Sequence, residues 1–184
     1  MATNSAAASR APVSLAPTGY DKFLAAGAVL LLAIVLVALG RGAGEWARLP
    51  WIVWAHLLTI LVALALTPVM MLRRRGDRLH RRLGWLWAAA MFLTAALSFA
   101  VRTINPGQLS LIHILSAWTL LQVPLIVLAA RRHNLRRHRN AIRAMATGAL
   151  LVAGIFTLVP DRLLGHWLYG RAGSESSGAA QSIR

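Results

Sequence analysis

Four of the six histidines lie near the ends of long apolar segments, two at one end and two at the other. This pairing is the feature of the sequence that could bind a cofactor. His56 and His113 lie near one end of the second and fourth segments, and His80 and His138 lie near the opposite end of the third and fifth. His56 is separated from Leu72, at the far end of its own segment, by about 24 Å of helix. The spacing therefore predicts two histidine pairs in two separate layers.

Two imidazoles that face each other from different helices are the ligand set of haem b, which a helical bundle holds without covalent attachment. We therefore expect His56 with His113, and His80 with His138, to ligate two haems b. Two haems stacked across a bilayer would carry electrons through a medium that charge otherwise crosses at high cost. Arginines at both ends are candidates for pairing with haem propionates or anionic lipid: Arg78, Arg81, Arg139 and Arg143 at one end, Arg48 or Arg102 at the other.

Each histidine also has a plainer interpretation. His56 or His113 alone could simply hydrogen-bond a neighbouring helix. The pair at the other end lies among arginines, where a solvated basic side chain is the default. His133 is best interpreted as one more member of a basic stretch, and His166 as an interfacial side chain or a contributor to an outer substrate site.

The elements that must position these histidines are five apolar runs. The first has eighteen residues and would span about 27 Å, close to the thickness of a hydrocarbon core. The sequence predicts an all-α integral membrane bundle of five transmembrane helices within residues 23–160. The expected helices are 23–40, 51–72, 83–101, 109–130 and 141–159.

The segments on either side of the bundle have a different composition. Residues 1–22 and 171–184 are predicted to be disordered tails, because they are rich in small and polar side chains. Residues 161–170 could form a short interfacial helix, with Trp167 and Tyr169 at the level of the lipid headgroups.

Two arginine-rich stretches set the expected topology. Leu72–Gly84 and Arg131–Arg143 carry six arginines each, and both follow even-numbered helices, so they lie on the same side. Cationic segments resist translocation, which places this side in the cytoplasm, in contact with anionic lipids. The N-terminus is then cytoplasmic and the C-terminus periplasmic, in a multi-pass protein of the bacterial inner membrane.

Composition excludes several classes of protein. The chain is 58% hydrophobic with a formal net charge of +15, but most of its cations lie at the ends of apolar runs, which suits lipid headgroups better than nucleic acid. It has no cysteine, so thiolate metal sites and c-type haem attachment are excluded. Hydrolase and phosphate-loop motifs are absent. All five acidic residues are expected outside the spans, which leaves no intramembrane carboxylate: Asp21, Glu45, Asp77, Asp161 and Glu175.

Two short motifs, L-H-R-R-L-G at 79–84 and H-R-N-A-I-R at 138–143, resemble an uncharacterised bacterial membrane family, the domain of unknown function numbered 2306. The histidine pairing between alternate helices is similar to that of cytochrome b561 and related diheme membrane cytochromes. That resemblance implies an electron-transfer protein, possible oxidoreductase activity, two haems b on the four histidines, and a quinol or redox protein as partner. The alternative is a haem-free structural or accessory subunit of a membrane complex, and a small-molecule transporter comes third.

Overall fold

Three of the long helices begin at a capping side chain, Thr18, Asp77 or Asn134, and not where their apolar runs begin. The computed structural model describes residues 16–101, 111–160 and 162–170. Helix α1 is Gly19–Arg41, followed by a short 3-10 helix, Ala43–Arg48. The next helices are α2, Trp51–Leu72, then α3, Arg78–Ala100, and α4, Leu111–Arg131. The fifth span, α5, is Leu135–Thr157, with a π-helical segment at Ala146–Val152, and residues 163–170 form α6.

The start of α1 corrects the expected extent of the N-terminal tail. Residues 19–22 were assigned to a disordered segment, but they form the first turn of α1. Thr18 is the N-cap: its hydroxyl accepts a hydrogen bond from the Asp21 main-chain N–H, and the Asp21 carboxylate accepts one from the Thr18 N–H. This capping box satisfies two orphan donors and lengthens the helix beyond its apolar run. The expected tails at residues 1–15 and 171–184 lie outside the described residues.

The two basic stretches are mostly helical as well, so α3 and α5 begin five and six residues before their apolar runs. Asp77 caps α3 by accepting a hydrogen bond from the His80 N–H, and Asn134 caps α5 by accepting one from the Arg137 N–H. Arginine is a good helix former, so nothing ends these helices before they reach their caps. The turns that remain are 73–77 and 132–134, and they use positive φ angles at Gly76 and His133.

The bundle closes on itself. Each of the five long helices packs against the next one in sequence, and α5 returns to pack against α1. Leu31, Leu64, Met91 and Leu150 are among the side chains that fill the centre. Leucine side chains on the outside of the bundle are exposed: Leu30 and Leu58 are both 63% exposed, as expected of surfaces that face lipid tails.

All five long helices are long and apolar enough to cross a membrane. Within the described part of the chain every regular element is helical. The predicted fold class is therefore confirmed: the chain is an all-α membrane bundle of multi-pass type. Consecutive packing around a ring places α4 between α3 and α5, and α3 between α2 and α4.

Candidate cofactor site

The histidine layer at the basic end of the bundle is built by the capped starts of α3 and α5. His80 lies in the first turn of α3, where its main-chain N–H donates to Asp77 Oδ1 at 2.6 Å. His138 lies in the first turns of α5, and its Nδ1 is 3.1 Å from the carbonyl oxygen of Ile126 on α4. A carbonyl only accepts, so Nδ1 of His138 carries the proton. The basic Nε2 of His138 is thereby left for another partner.

His80 and His138 are electrostatic neighbours, although 58 residues separate them in sequence. Both imidazoles are half-buried. His80 Nδ1 is itself buried and has no hydrogen-bond partner among the described residues. The ends of α3 and α5 thus bring together two imidazoles, one fixed by a main-chain bond and one with an unsatisfied buried nitrogen. His80 and His138 would suit the ligation of a metal-containing cofactor, since a ligating histidine ordinarily anchors its other ring nitrogen on a carbonyl or carboxylate.

The second layer lies against the far half of α3. His56 Nδ1 donates to the Thr94 carbonyl oxygen at 3.0 Å, which again leaves Nε2 as the basic nitrogen. Thr94 also donates its hydroxyl to Thr59 Oγ1 at 2.8 Å, so α2 and α3 are joined twice at this level. The His113 ring packs against Phe99 of α3, with 5.8 Å between ring centroids. Both outer histidines therefore contact α3, through residues less than two turns apart.

The space between the two layers is closed by large side chains. Trp87 and Met91 of α3 are 4% and 2% exposed. The Trp87 indole N–H donates to Thr67 Oγ1 at 3.0 Å, and Thr67 in turn donates to the Ala63 carbonyl oxygen. Buried core side chains of α3 thus fill the interval between the two histidine layers.

A buried carboxylate joins the N-terminus of α1 to both arginine-rich stretches. Asp21 is fully buried, and its Oδ2 accepts from Arg75 at 2.7 Å while its Oδ1 accepts from Arg143 Nε at 2.8 Å. Arg139 lies at 3.5 Å from Oδ2, and Arg143 also donates to the Thr18 hydroxyl. Asp21 was expected outside the apolar spans; it lies in the first turn of α1, ahead of the apolar run, and three arginines surround its carboxylate.

The sequence itself contains a signal for this cluster of Asp21 and three arginines. Thr18 and Asp21 have the T-x-x-D spacing of a helix start, immediately before the first apolar run. An acid at that position lies on the same side of the bundle as the arginine-rich stretches, and it is close to α5 because the ring of helices closes. Only the second condition needs the tertiary structure.

The cluster also changes the environment of the arginines that were expected to serve propionates or lipid. Arg139 and Arg143 face Asp21. Arg81 donates to the carbonyl oxygen of Gly76, and Arg78 is exposed. Arg102 lies outside the described residues. Arg75, which had no assigned role, is the third arginine of the Asp21 cluster, and it also donates to the carbonyl oxygen of Ala16.

The opposite end of the bundle is covered by α6. Trp167, expected at the headgroups, is only 4% exposed and donates its indole N–H to Glu45 Oε2 at 3.2 Å. Its ring lies directly over Gly42, at the end of α1. Tyr169 and His166 are exposed. Residues 163–170 therefore dock on the bundle through one face.

Among the described residues, no cluster of three or more histidine and acidic side chains could hold a free metal ion. Pairs of imidazoles are the donor sets that the fold offers. Comparison of the chain with protein-family models, curated proteins and solved structures gave no match. Fold and site together define an all-α, multi-pass membrane protein with two histidine layers, and the two family resemblances noted in the sequence stay predictions.

Proposed function

We propose that this protein transfers electrons across a membrane, with two haems b held by His80 with His138 and by His56 with His113. The observation that carries the proposal is the inner pair of half-buried imidazoles at the capped starts of α3 and α5: His138 holds its Nδ1–H on a main-chain carbonyl, and His80 has a buried Nδ1 without a hydrogen-bond partner among the described residues. A haem bound there would supply reversible one-electron chemistry at its iron.

The residues of the chain contribute orientation and insulation. The carbonyls of Ile126 and Thr94 fix the ring planes of His138 and His56 and the identity of the nitrogen that remains basic. Trp87 and Met91 separate the layers with apolar and aromatic atoms, so water is kept out of the interval between them. Such a low-dielectric interior favours a cofactor whose charge is spread over a large ring.

The orientation that goes with this function puts the arginine-rich ends of α3 and α5 in the cytoplasm of a bacterial cell, at the inner membrane. Both stretches lie at the same end of the bundle, since they share the Asp21 cluster, and positive residues are retained on the cytoplasmic side. Anionic lipids then surround the basic end. The electron donor would be a quinol or a redox protein.

The test is the absorption spectrum of the purified protein, first oxidised and then reduced with dithionite. We expect a Soret band that sharpens on reduction and an α band of b type. His80→Asn and His138→Asn should each remove the same half of the haem, whereas His56→Asn and His113→Asn should remove the other half. His133→Asn is the matched control, because His133 lies in the same basic stretch at positive φ, which asparagine tolerates.

A well-folded preparation from haem-replete cells with no haem band would overturn the proposal. So would a spectrum that is unchanged in the His80 and His138 variants.

The second candidate, a haem-free structural or accessory subunit, is favoured by the hydrogen bonds that α2 and α3 already share. His56–Thr94 and Thr59–Thr94 join these helices without any cofactor. Under this function the histidine variants would lower thermal stability by roughly 1 kcal/mol or less per bond and would change no spectrum.

A further inference from the structure

An open apolar groove runs along the outside of the bundle between α1 and α2. It has a volume of about 630 Å³ and is lined on the α1 side by Ala25, Ala26, Val29, Leu30 and Ala33. Pro68 and Leu72 of α2 form its other wall, and Lys22 lies at one end. The two histidine layers contribute no side chain to this lining, so the groove is independent of the candidate cofactor site.

The length of the groove matches one leaflet of a bilayer. From Lys22 to Ala33 the helix rises about 16 Å, and half of a typical hydrocarbon core is about 15 Å. The small alanine side chains of α1 leave space at the bottom of the groove in which a chain of methylene groups can lie. Larger side chains at these positions would fill that space. A straight acyl chain is therefore a shape that can lie along the α1 side of the groove, with Pro68 and Leu72 beside one part of it.

Two cations at the basic end have no acidic partner among the described residues. Arg73 is paired with Asp77, and Arg75 with Asp21. Lys22 and Arg74 are exposed, and in the described ranges no carboxylate lies within ion-pair distance of either side chain. Lys22 belongs to the groove itself, and Arg74 follows two residues after Leu72, at the same end. The Lys22 end of the groove thus carries positive charge.

We propose that this groove is a binding site for one anionic glycerophospholipid, with an acyl chain between α1 and α2 and its phosphate at Lys22. The site differs from general lipid contact because an open apolar groove ends at a cation that has no acidic partner among the described residues. It requires no haem and depends on neither histidine layer.

The experiment is native mass spectrometry of the full chain in detergent, titrated with phosphatidylglycerol or phosphatidylcholine of the same acyl chains. We expect one retained phosphatidylglycerol per protein under conditions that strip phosphatidylcholine. Lys22→Gln should weaken phosphatidylglycerol binding about five-fold, the contribution expected of one cation at a membrane surface. Ala26→Leu, which adds bulk on the exposed floor of the groove, should remove the retained lipid.

Two matched variants control for charge and bulk elsewhere. Arg82→Gln removes an exposed cation from the first turns of α3, and Ala89→Leu enlarges an exposed alanine on the outer face of that helix. Both should bind lipid as the unaltered protein does, and all four variants should keep its thermal stability. Equal retention of the two lipids, or losses in the control variants as large as those in Lys22→Gln and Ala26→Leu, would overturn the site. A bound lipid whose retention is unchanged by Lys22→Gln would indicate an uncharged occupant, such as a quinone tail. That result would also overturn the proposed anionic-lipid site.

Discussion

Asp21 and Arg143 are 122 residues apart in the chain and are joined by a hydrogen bond of 2.8 Å from Arg143 Nε to Asp21 Oδ1. This bond ties the first turn of α1 to α5, the last of the five long helices. Tyr20 reinforces the junction, since its hydroxyl is 2.8 Å from Thr147 Oγ1 and its ring lies under the Arg143 guanidinium. The bundle is therefore closed by polar contacts at its basic end, next to the inner histidine layer.

Asp21→Asn should destabilise the protein substantially, because it leaves three arginines facing one another without their shared carboxylate. Removing one partner of a fully buried pair costs about 3–5 kcal/mol, and we expect about 2–4 kcal/mol here because the arginine side chains keep some solvent contact. The measurement is thermal or denaturant unfolding in detergent. Asp77→Asn is the control: it removes the exposed carboxylate of the Arg73 pair but keeps the N-cap, and it should cost clearly less. Equal losses in the two variants would contradict the role assigned to Asp21.

The start of α3 should depend on acid pH through Asp77. Hydrogen bonds from the Arg73 guanidinium and the His80 main-chain N–H hold the pKa of the Asp77 carboxyl below its ordinary value of 3.8. A lowered folded-state pKa means that the carboxylate stabilises the folded protein above pH 3.8 and that this contribution is lost as the pH falls further. Amide hydrogen exchange in the first turn of α3 should therefore quicken in strong acid. Asp77→Asn should show a flatter pH dependence, and identical profiles would rule out the carboxylate as the cause.

Gly42→Ala should loosen α6, whereas Gly44→Ala should have little effect. A Cβ at Gly42 would run into the six-membered ring of Trp167, a rigid side chain that cannot give way, while a Cβ at Gly44 would meet nothing. The two glycines are only two residues apart, so the second is a close control for the first. Limited proteolysis at Arg162 measures the docking of residues 163–170. Cleavage that is as slow in Gly42→Ala as in Gly44→Ala would contradict the packing.

The orientation in the membrane can be measured directly, because the chain has no cysteine of its own. Single cysteines at Arg74 and Arg136 lie in or beside the two basic turns, and one at Gly44 lies at the opposite end. We expect Gly44→Cys to react with an impermeant maleimide in intact spheroplasts, and Arg74→Cys and Arg136→Cys to react only after permeabilisation. The reverse labelling pattern would invert the proposed topology. Labelling of Arg74→Cys but not of Arg136→Cys would contradict the placement of the two basic stretches on the same side of the membrane.

Apolar runs of membrane length were enough to predict five spans and the all-α class, because a bilayer requires every spanning segment to satisfy its backbone internally. The boundaries were harder to predict. At α3 and α5 the apolar pattern stops at the interface, but the helices continue to Asp77 and Asn134, whose side chains accept the orphan N–H groups. Hydropathy reports where a chain is apolar, and capping decides where it becomes helical.

The candidate site divides in the same way. The depths of His56, His80, His113 and His138 follow from helical rise alone, so the sequence by itself determined the two layers. Only the tertiary structure decided which carbonyls hold His56 and His138, that Trp87 and Met91 close the space between the layers, and that Asp21 is buried among arginines. Those facts depend on which helix is adjacent to which around the ring. That adjacency is set by packing between residues far apart in the chain, which no local pattern records.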